Sequence, residues 1–180
     1  MSDRFPKLND AEAAALVQVS ASLGVSGESL YALVNFESGW NPKVLNKSGY
    51  PHDDRKWAAG LIQFMPDTAR GLGFVDQYDL IEQYPDRISQ LKGPVLKYLN
   101  KFKPFPTDQA LFMSVFLPSY RYVSPEKQFP DSVIAVNPGI KTPIDYIKKV
   151  YANFPAGAAW AGGGLAVLVI AGLALWLILR

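Results

Sequence analysis

A mainly α-helical domain followed by one C-terminal transmembrane helix is the fold this sequence predicts, on three observations. Apolar residues recur at helical spacing in several separate segments. No alternation of period two persists long enough to demand a sheet. After Lys149 no charged side chain appears until Arg180, and Ala156 to Leu179 is almost wholly apolar. A bilayer core takes about 20 such residues as a helix. The expected organisation is a domain over residues 1–150, a short linker over 151–155 and a membrane helix over 156–179.

The first helix is bracketed by its own signals. Asn9 and Glu12 have capping-box spacing, AEAAALVQVSASL supplies helix formers with an apolar face, and Gly24 ends it. In the next helix Leu30, Leu33, Val34 and Glu37 fall at i, i+3, i+4 and i+7, so an acid shares a stripe with three aliphatic side chains. Gly39 is placed to stop this helix and Pro42 follows. Apolar neighbours and the negative end of the helix both disfavour a charged Glu37 and push its pKa up, as a general acid requires. The bland alternative is a solvated charge at a helix end.

The polar run NKSGYPHDDRKW reads as a surface loop. AAGLIQFMPDTARGLG begins apolar, breaks at Pro66 and restarts as a short helix with Asp67 as its N-cap. Helical patterns return over Asp86–Phe102, Asp108–Phe116 and Pro143–Phe154, with a Pro-rich irregular stretch from Pro118 to Gly139. In the C-terminal segment Trp160 and Trp176 suit the two membrane interfaces, and Gly157, Gly162, Gly163 and Gly164 are of a kind tolerated in membrane helices.

Composition narrows the function. The 180-residue chain carries a net charge of +2 with dispersed basic residues, which argues against nucleic acid as a partner. It has no cysteine and a single histidine, His52, so thiol nucleophiles are excluded and neither a His-based triad nor a multi-His metal site is expected. No metal or organic cofactor is implied. The opening MSDRFPKLND has no apolar run of the signal-peptide kind.

Two linked motifs then point to chemistry. ESGWNPKV, from Glu37 to Val44, and AAGLIQFMPDTARGLG, from Ala58 to Gly73, resemble the soluble lytic transglycosylase family. In that family a helix ends in the catalytic glutamate of an E-S-x-x-N-P motif, and a G-A-x-G-L-x-Q-x-M-P-x-T-A motif lies a short loop further on. The resemblance implies a lysozyme-like helical domain, with Glu37 as the catalytic acid/base. It also implies that Gln63 and Met65 line the sugar cleft, and it matches Ser48 to a cleft serine. Trp57 stands where the second motif has its first glycine, and the loop between the motifs is longer than usual. The family's third motif, commonly A-Y-N, is approximated by Val115-Phe116-Leu117; Phe116 keeps the ring, and Tyr120 is the candidate to supply the missing hydroxyl. TPIDYIKKV is similar to the family's closing segment, with Thr142 where some members have glutamate.

The implied reaction cleaves the bond between N-acetylmuramic acid and N-acetylglucosamine in a peptidoglycan strand. Glycosidases ordinarily use two carboxylates, and only one well-placed acid emerges here. That suits a lytic transglycosylase, in which the substrate's acetamido group and C6 hydroxyl close a 1,6-anhydro ring without water. The alternatives are a lysozyme-type hydrolase using Asp53 or Asp54 as base, and a non-catalytic glycan-binding membrane protein. Lys141, Lys148 and Lys149 before the apolar segment outweigh Arg180 after it, which favours a cytoplasmic domain, where peptidoglycan is absent. A virion component of a phage, carried to the host wall and meeting other virion or envelope proteins, reconciles the two; an enzyme anchored in the bacterial inner membrane is the other resolution.

Overall fold

The computed structural model describes residues 4–47, 53–152 and 154. Its helices are α1 (Asp10–Leu23), α2 (Gly27–Ser38), α3 (Pro66–Gly71), α4 (Gln77–Gln83), α5 (Arg87–Gln90), α6 (Leu96–Asn100), α7 (Asp108–Phe116), α8 (Asp131–Val136) and α9 (Pro143–Ala152). The domain is mainly helical, as expected.

The capping box at the start of α1 forms in both directions: Glu12 N–H donates to Asn9 Oδ1 and Asn9 N–H to Glu12 Oε2, each at 2.9 Å. Gly24 closes the helix in the left-handed conformation at φ 73°. Helix α2 is the centre of the fold. Leu30, Tyr31, Ala32, Leu33 and Val34 are all fully buried, so a whole turn, and not one stripe, is enclosed by its neighbours. α1 and α9 pack on α2, and Leu61, Phe64, Leu91, Val95, Leu99 and Phe112 belong to the same core. Each such aliphatic or aromatic side chain contributes about 1.5–3 kcal/mol on burial.

The single helix expected over Asp86–Phe102 is present with a modification. Between α5 and α6, Leu91–Val95 forms a π-helical turn that contains Pro94. Proline has no N–H to donate and crowds the preceding turn, and the wider π turn accommodates it without ending the helix. Gly93 in this turn lies against the Tyr84 ring; a Cβ there would stand 2.2 Å from Tyr84 Cε1, so no larger residue fits as packed.

Several expectations are corrected. Asp67 is not the N-cap of α3: Met65 holds that place and Pro66 opens the helix, while the Asp67 carboxylate pairs with Arg70 in solvent. A proline's fixed φ and missing N–H suit the first helical position, which moves the cap two residues back, from Asp67 to Met65. The Pro118–Gly139 stretch holds a 3₁₀ turn at Pro118–Tyr120 and the short helix α8. Helix α4 was not expected; Asp76 caps it, accepting from Tyr78 N–H at 2.8 Å and Asp79 N–H at 2.9 Å. A two-stranded antiparallel ribbon, β1 (Leu45–Asn46) with β2 (Ala58–Ala59), was also missed. Strands of two residues are too short to show a period.

The membrane helix expected over 156–179, and Ser48, lie outside the described residues. Among the described residues no helix is long and apolar enough to cross a membrane.

Candidate active site

Glu37 is the penultimate residue of α2, and the chain turns sharply after it. Gly39 takes φ 60° and donates its N–H to Asn35 O at 2.9 Å, the αL stop that its lack of a Cβ permits. Trp40 follows at φ 68°, which is costly for a residue with a side chain. Two interactions hold it there: its ring is fully buried against Tyr31 with centroids 5.2 Å apart, and its carbonyl accepts from Arg87 Nε at 2.7 Å. Arg87 also donates to Lys7 O at 2.8 Å and to the Glu12 carboxylate at 3.1 Å, tying the turn after Glu37 to the N-terminal segment.

The Glu37 carboxylate accepts a hydrogen bond from the Tyr146 hydroxyl of α9. Tyr146 is itself almost wholly buried, with Phe116 stacked on it at 4.4 Å and Phe36 edge-on at 5.3 Å. Glu37 thus ends in an aromatic setting with one hydroxyl aimed at it. Burial pushes its pKa from 4.5 up to about 7, against the opposing pull of the Tyr146 hydrogen bond, which favours the ionised form. The Tyr146 hydroxyl is in turn raised well above its ordinary value, first by burial and then by the carboxylate. A carboxyl near 7 is divided between its two forms at neutral pH, so it can give a proton and later take one.

The second motif is brought to the first by the ribbon. Leu45 pairs with Ala59 and Asn46 with Ala58, and Gly60 N–H donates to Val44 O at 3.1 Å. The motif then folds into a tight turn closed by reciprocal bonds between Ala59 and Phe64, of 3.0 and 2.7 Å, with Gly60 at φ 78° and Gln63 at φ 55°. Gln90 of α5, fully buried, clamps the assembly: Oε1 accepts from Leu61 N–H at 2.9 Å, and Nε2 donates to Pro42 O at 2.7 Å and Tyr84 O at 2.9 Å. One side chain therefore satisfies backbone groups from both motifs. Gly60 is required here twice over, since a Cβ would also lie 2.8 Å from Gln90 Oε1.

The sequence-derived candidates divide accordingly. Phe116 joins Glu37 through Tyr146. Gln63 sits half-buried in the left-handed turn of the second motif, its Nε2 donating to Gly60 O at 3.0 Å. Met65 is 46 % exposed at the end of that turn. Tyr120 does not supply the missing hydroxyl: its OH donates to Gln128 O at 3.1 Å and its ring packs on Phe129. The hydroxyl that meets Glu37 is that of Tyr146. The signal was present, because Pro143, Tyr146, Ile147 and Val150 form an i, i+3, i+4, i+7 stripe carrying one hydroxyl, the same pattern that singled out Glu37. Thr142 caps the start of this helix with Asp145, to which its hydroxyl donates at 2.9 Å.

The loop aspartates meet other partners, Asp53 through its carboxylate and Asp54 through its backbone. Asp53 pairs with Lys56 at 3.3 Å, and the carbonyl of Asp54 accepts from Gln77 and Tyr78, each at 3.2 Å. Trp57 lies across the open end of the ribbon from Lys47, whose ammonium sits 4.4 Å above its ring. Among the described residues no group of three or more His, Cys, Asp or Glu side chains is placed to hold a metal ion.

No curated protein and no solved structure matches this chain. Residues 17–92, which run from α1 through Glu37 and both motifs to the Gln90 clamp, match the family model for the Transglycosylase SLT domain, and over this stretch the chain is similar to the soluble lytic transglycosylases.

Proposed function

We propose that this protein is a peptidoglycan lytic transglycosylase that cleaves the β-1,4 bond between N-acetylmuramic acid and N-acetylglucosamine, leaving a 1,6-anhydro end. The observation that carries the reading is the environment of Glu37. Its pKa is governed by burial and by the Tyr146 hydroxyl, and no second carboxylate acts on it among the described residues. A protonated Glu37 gives its proton to the glycosidic oxygen. The substrate's own acetamido group supports the developing cation. The ionised Glu37, steadied by Tyr146, then takes the proton of the C6 hydroxyl as that oxygen closes the anhydro ring. The C6 hydroxyl is already bound, so it outcompetes water by proximity, where effective molarities reach about 10⁵ M or more. Gln63, Met65, Ser48, Phe116 and Tyr120 are proposed as the residues that bind the glycan strand.

The test is mass spectrometry of muropeptides released from purified peptidoglycan, because anhydro products are one water lighter than reducing ends. A digest dominated by reducing ends places the protein with the hydrolases.

The apolar segment from Ala156 to Leu179 is proposed to anchor the domain in a membrane, and the protein to be a phage virion component that opens the wall during genome entry. Supporting this are the length of the segment and the charge bias that favours a cytoplasmic domain, where no peptidoglycan is available. Detection of the chain in purified particles tests it; a chain found only in membranes of uninfected cells rejects it.

A further inference from the structure

Away from Glu37, a second polar cluster lies in the same helix packing, and the proposed chemistry does not use it. Ser29, buried in the first turn of α2, donates its hydroxyl to Asp108 Oδ1 at 2.7 Å. Tyr151 of α9 donates to the other oxygen, Asp108 Oδ2. The hydroxyls of Ser29 and Tyr151 stand 3.3 Å apart, and the N-cap Ser26 hydroxyl lies 2.7 Å from that of Ser29. The cluster therefore joins the N-terminal end of α2, the N-terminal end of α7 and the C-terminal end of α9.

The Glu37 cluster joins the same three helices at their opposite ends: the end of α2, Phe116 at the end of α7 and Tyr146 near the start of α9. Helix α9 thus runs antiparallel to α2 and α7 and is pinned at both ends by a tyrosine hydroxyl on a carboxylate. The pins are separated by about 12 Å along α2 and about 7.5 Å along α9, from the helical rise. Between them α9 offers the core Val150 and the partly buried Ile147 packed against the core. Apolar packing of that kind is non-directional and does not fix a register, whereas hydroxyl–carboxylate bonds do.

We propose that Asp108 and Tyr151 are positioning residues for the reaction: by fixing the far end of α9 against α2 and α7, they hold the Tyr146 hydroxyl on the Glu37 carboxylate. They touch no reacting atom and act through the placement of α9. Among the described residues, Tyr146 of α9 is the titratable group that faces Glu37, with the uncharged rings of Phe36 and Phe116 on α2 and α7 behind it. Asp108 is faced by Tyr151 and Ser29. Releasing the far pin lowers the occupancy of the Tyr146–Glu37 bond. The ionised Glu37 then loses its donor while the aromatic cover stays, so its pKa moves further up.

Tyr151→Phe removes the hydroxyl and keeps the ring that packs on Phe112 at 5.4 Å; Asp108→Asn is the second variant. The measurement is an NMR titration of ¹³C-labelled glutamate side chains in the full chain in detergent, beside the pH profile of peptidoglycan cleavage. Both variants should raise the pKa of Glu37 and carry the alkaline limb of kcat upward with it. The fall in kcat should be about tenfold to a hundredfold, since a misplacement of about 1 Å can cost 10²-fold. In a Tyr146→Phe background Tyr151→Phe should add no further shift, because the hydroxyl it positions is gone. A lower Tm with Glu37 titrating as in the wild type, or titrating lower, overturns the proposal and leaves the cluster a purely structural one. The inference rests on Glu37 being the acid, but the titration needs no substrate. A wild-type protein inert toward peptidoglycan whose Glu37 still shifts in Tyr151→Phe rejects the functional reading and upholds the pinning.

Discussion

Tyr146 and Tyr151 stand on one helix and each gives its hydroxyl to a carboxylate, yet the two acids meet different surroundings. Asp108 sits in the first turn of α7, where unpaired backbone N–H groups favour negative charge, and it accepts from both Ser29 and Tyr151. Glu37 sits in the last turn of α2, the end that disfavours negative charge, with one donor and aromatic neighbours. A carboxylate supplied with donors is a fixed anchor. A carboxylate that burial raises against a single donor holds its proton to about pH 7, where proton transfer is accessible. The same pair of functional groups therefore fastens three helix ends in one place and surrounds a carboxyl raised by burial in the other.

The largest effect should come from Glu37→Gln, which keeps the shape and removes the transferable proton. Cleavage of purified peptidoglycan should fall by about 10²–10⁴-fold, the usual range for a lost acid/base, with an unaltered circular dichroism spectrum. A loss in Asp108→Asn that matches that of Glu37→Gln beyond the roughly hundredfold expected from misplacement would erase the distinction between the two acids.

Stability should move the opposite way. With a folded pKa of about 7 against 4.5 unfolded, Glu37 is protonated in both states below pH 4.5 and imposes no cost there. As pH rises the unfolded state ionises first, and stability declines until the folded group has ionised above about 7. The full difference is at most about 3 kcal/mol. Chemical denaturation should thus find Glu37→Gln more stable than wild type above pH 7 and level with it below 4.5. A gain that persists at pH 4 would place the effect outside the ionisation of Glu37.

A smaller, sharper change is expected from Tyr146→Phe. It removes the one hydrogen bond that holds the Glu37 pKa down, so the alkaline limb of the pH–rate profile should move upward, at a stability cost of about 1 kcal/mol for the hydroxyl. A downward shift would mean that water replaces the hydroxyl better than the ring excludes it. Smallest of all, Asp53→Asn and Asp54→Asn should each leave the rate within a few fold, because their loop contacts lie with Lys56, Gln77 and Tyr78. A collapse in either would restore a two-carboxylate hydrolase.

The legible part of the site was the part whose cause is local. Glu37 stood out because an acid on an aliphatic stripe is anomalous in any fold, and the paired motifs around Gln63 and Met65 supported it. Tyr146 escaped because it lies 109 residues further on and reaches Glu37 only when α9 docks. Tyr120 was the nearer choice in sequence, and its hydroxyl turns to Gln128. The ribbon that joins the two motifs has strands of two residues, and α4 has one short turn pattern, so neither leaves a period to read.

By itself the sequence determined the caps of α1, the glycine stop of α2 and the aliphatic stripe on which Glu37 lies, since helix periodicity, capping and glycine stops act within a few residues. Only the tertiary structure decided which hydroxyl meets Glu37, that Gln90 ties both motifs together, and that a second tyrosine–carboxylate pair secures the other end of α9. Those bonds join residues distant in the chain, and such pairing is set by how helices pack, which no local pattern encodes.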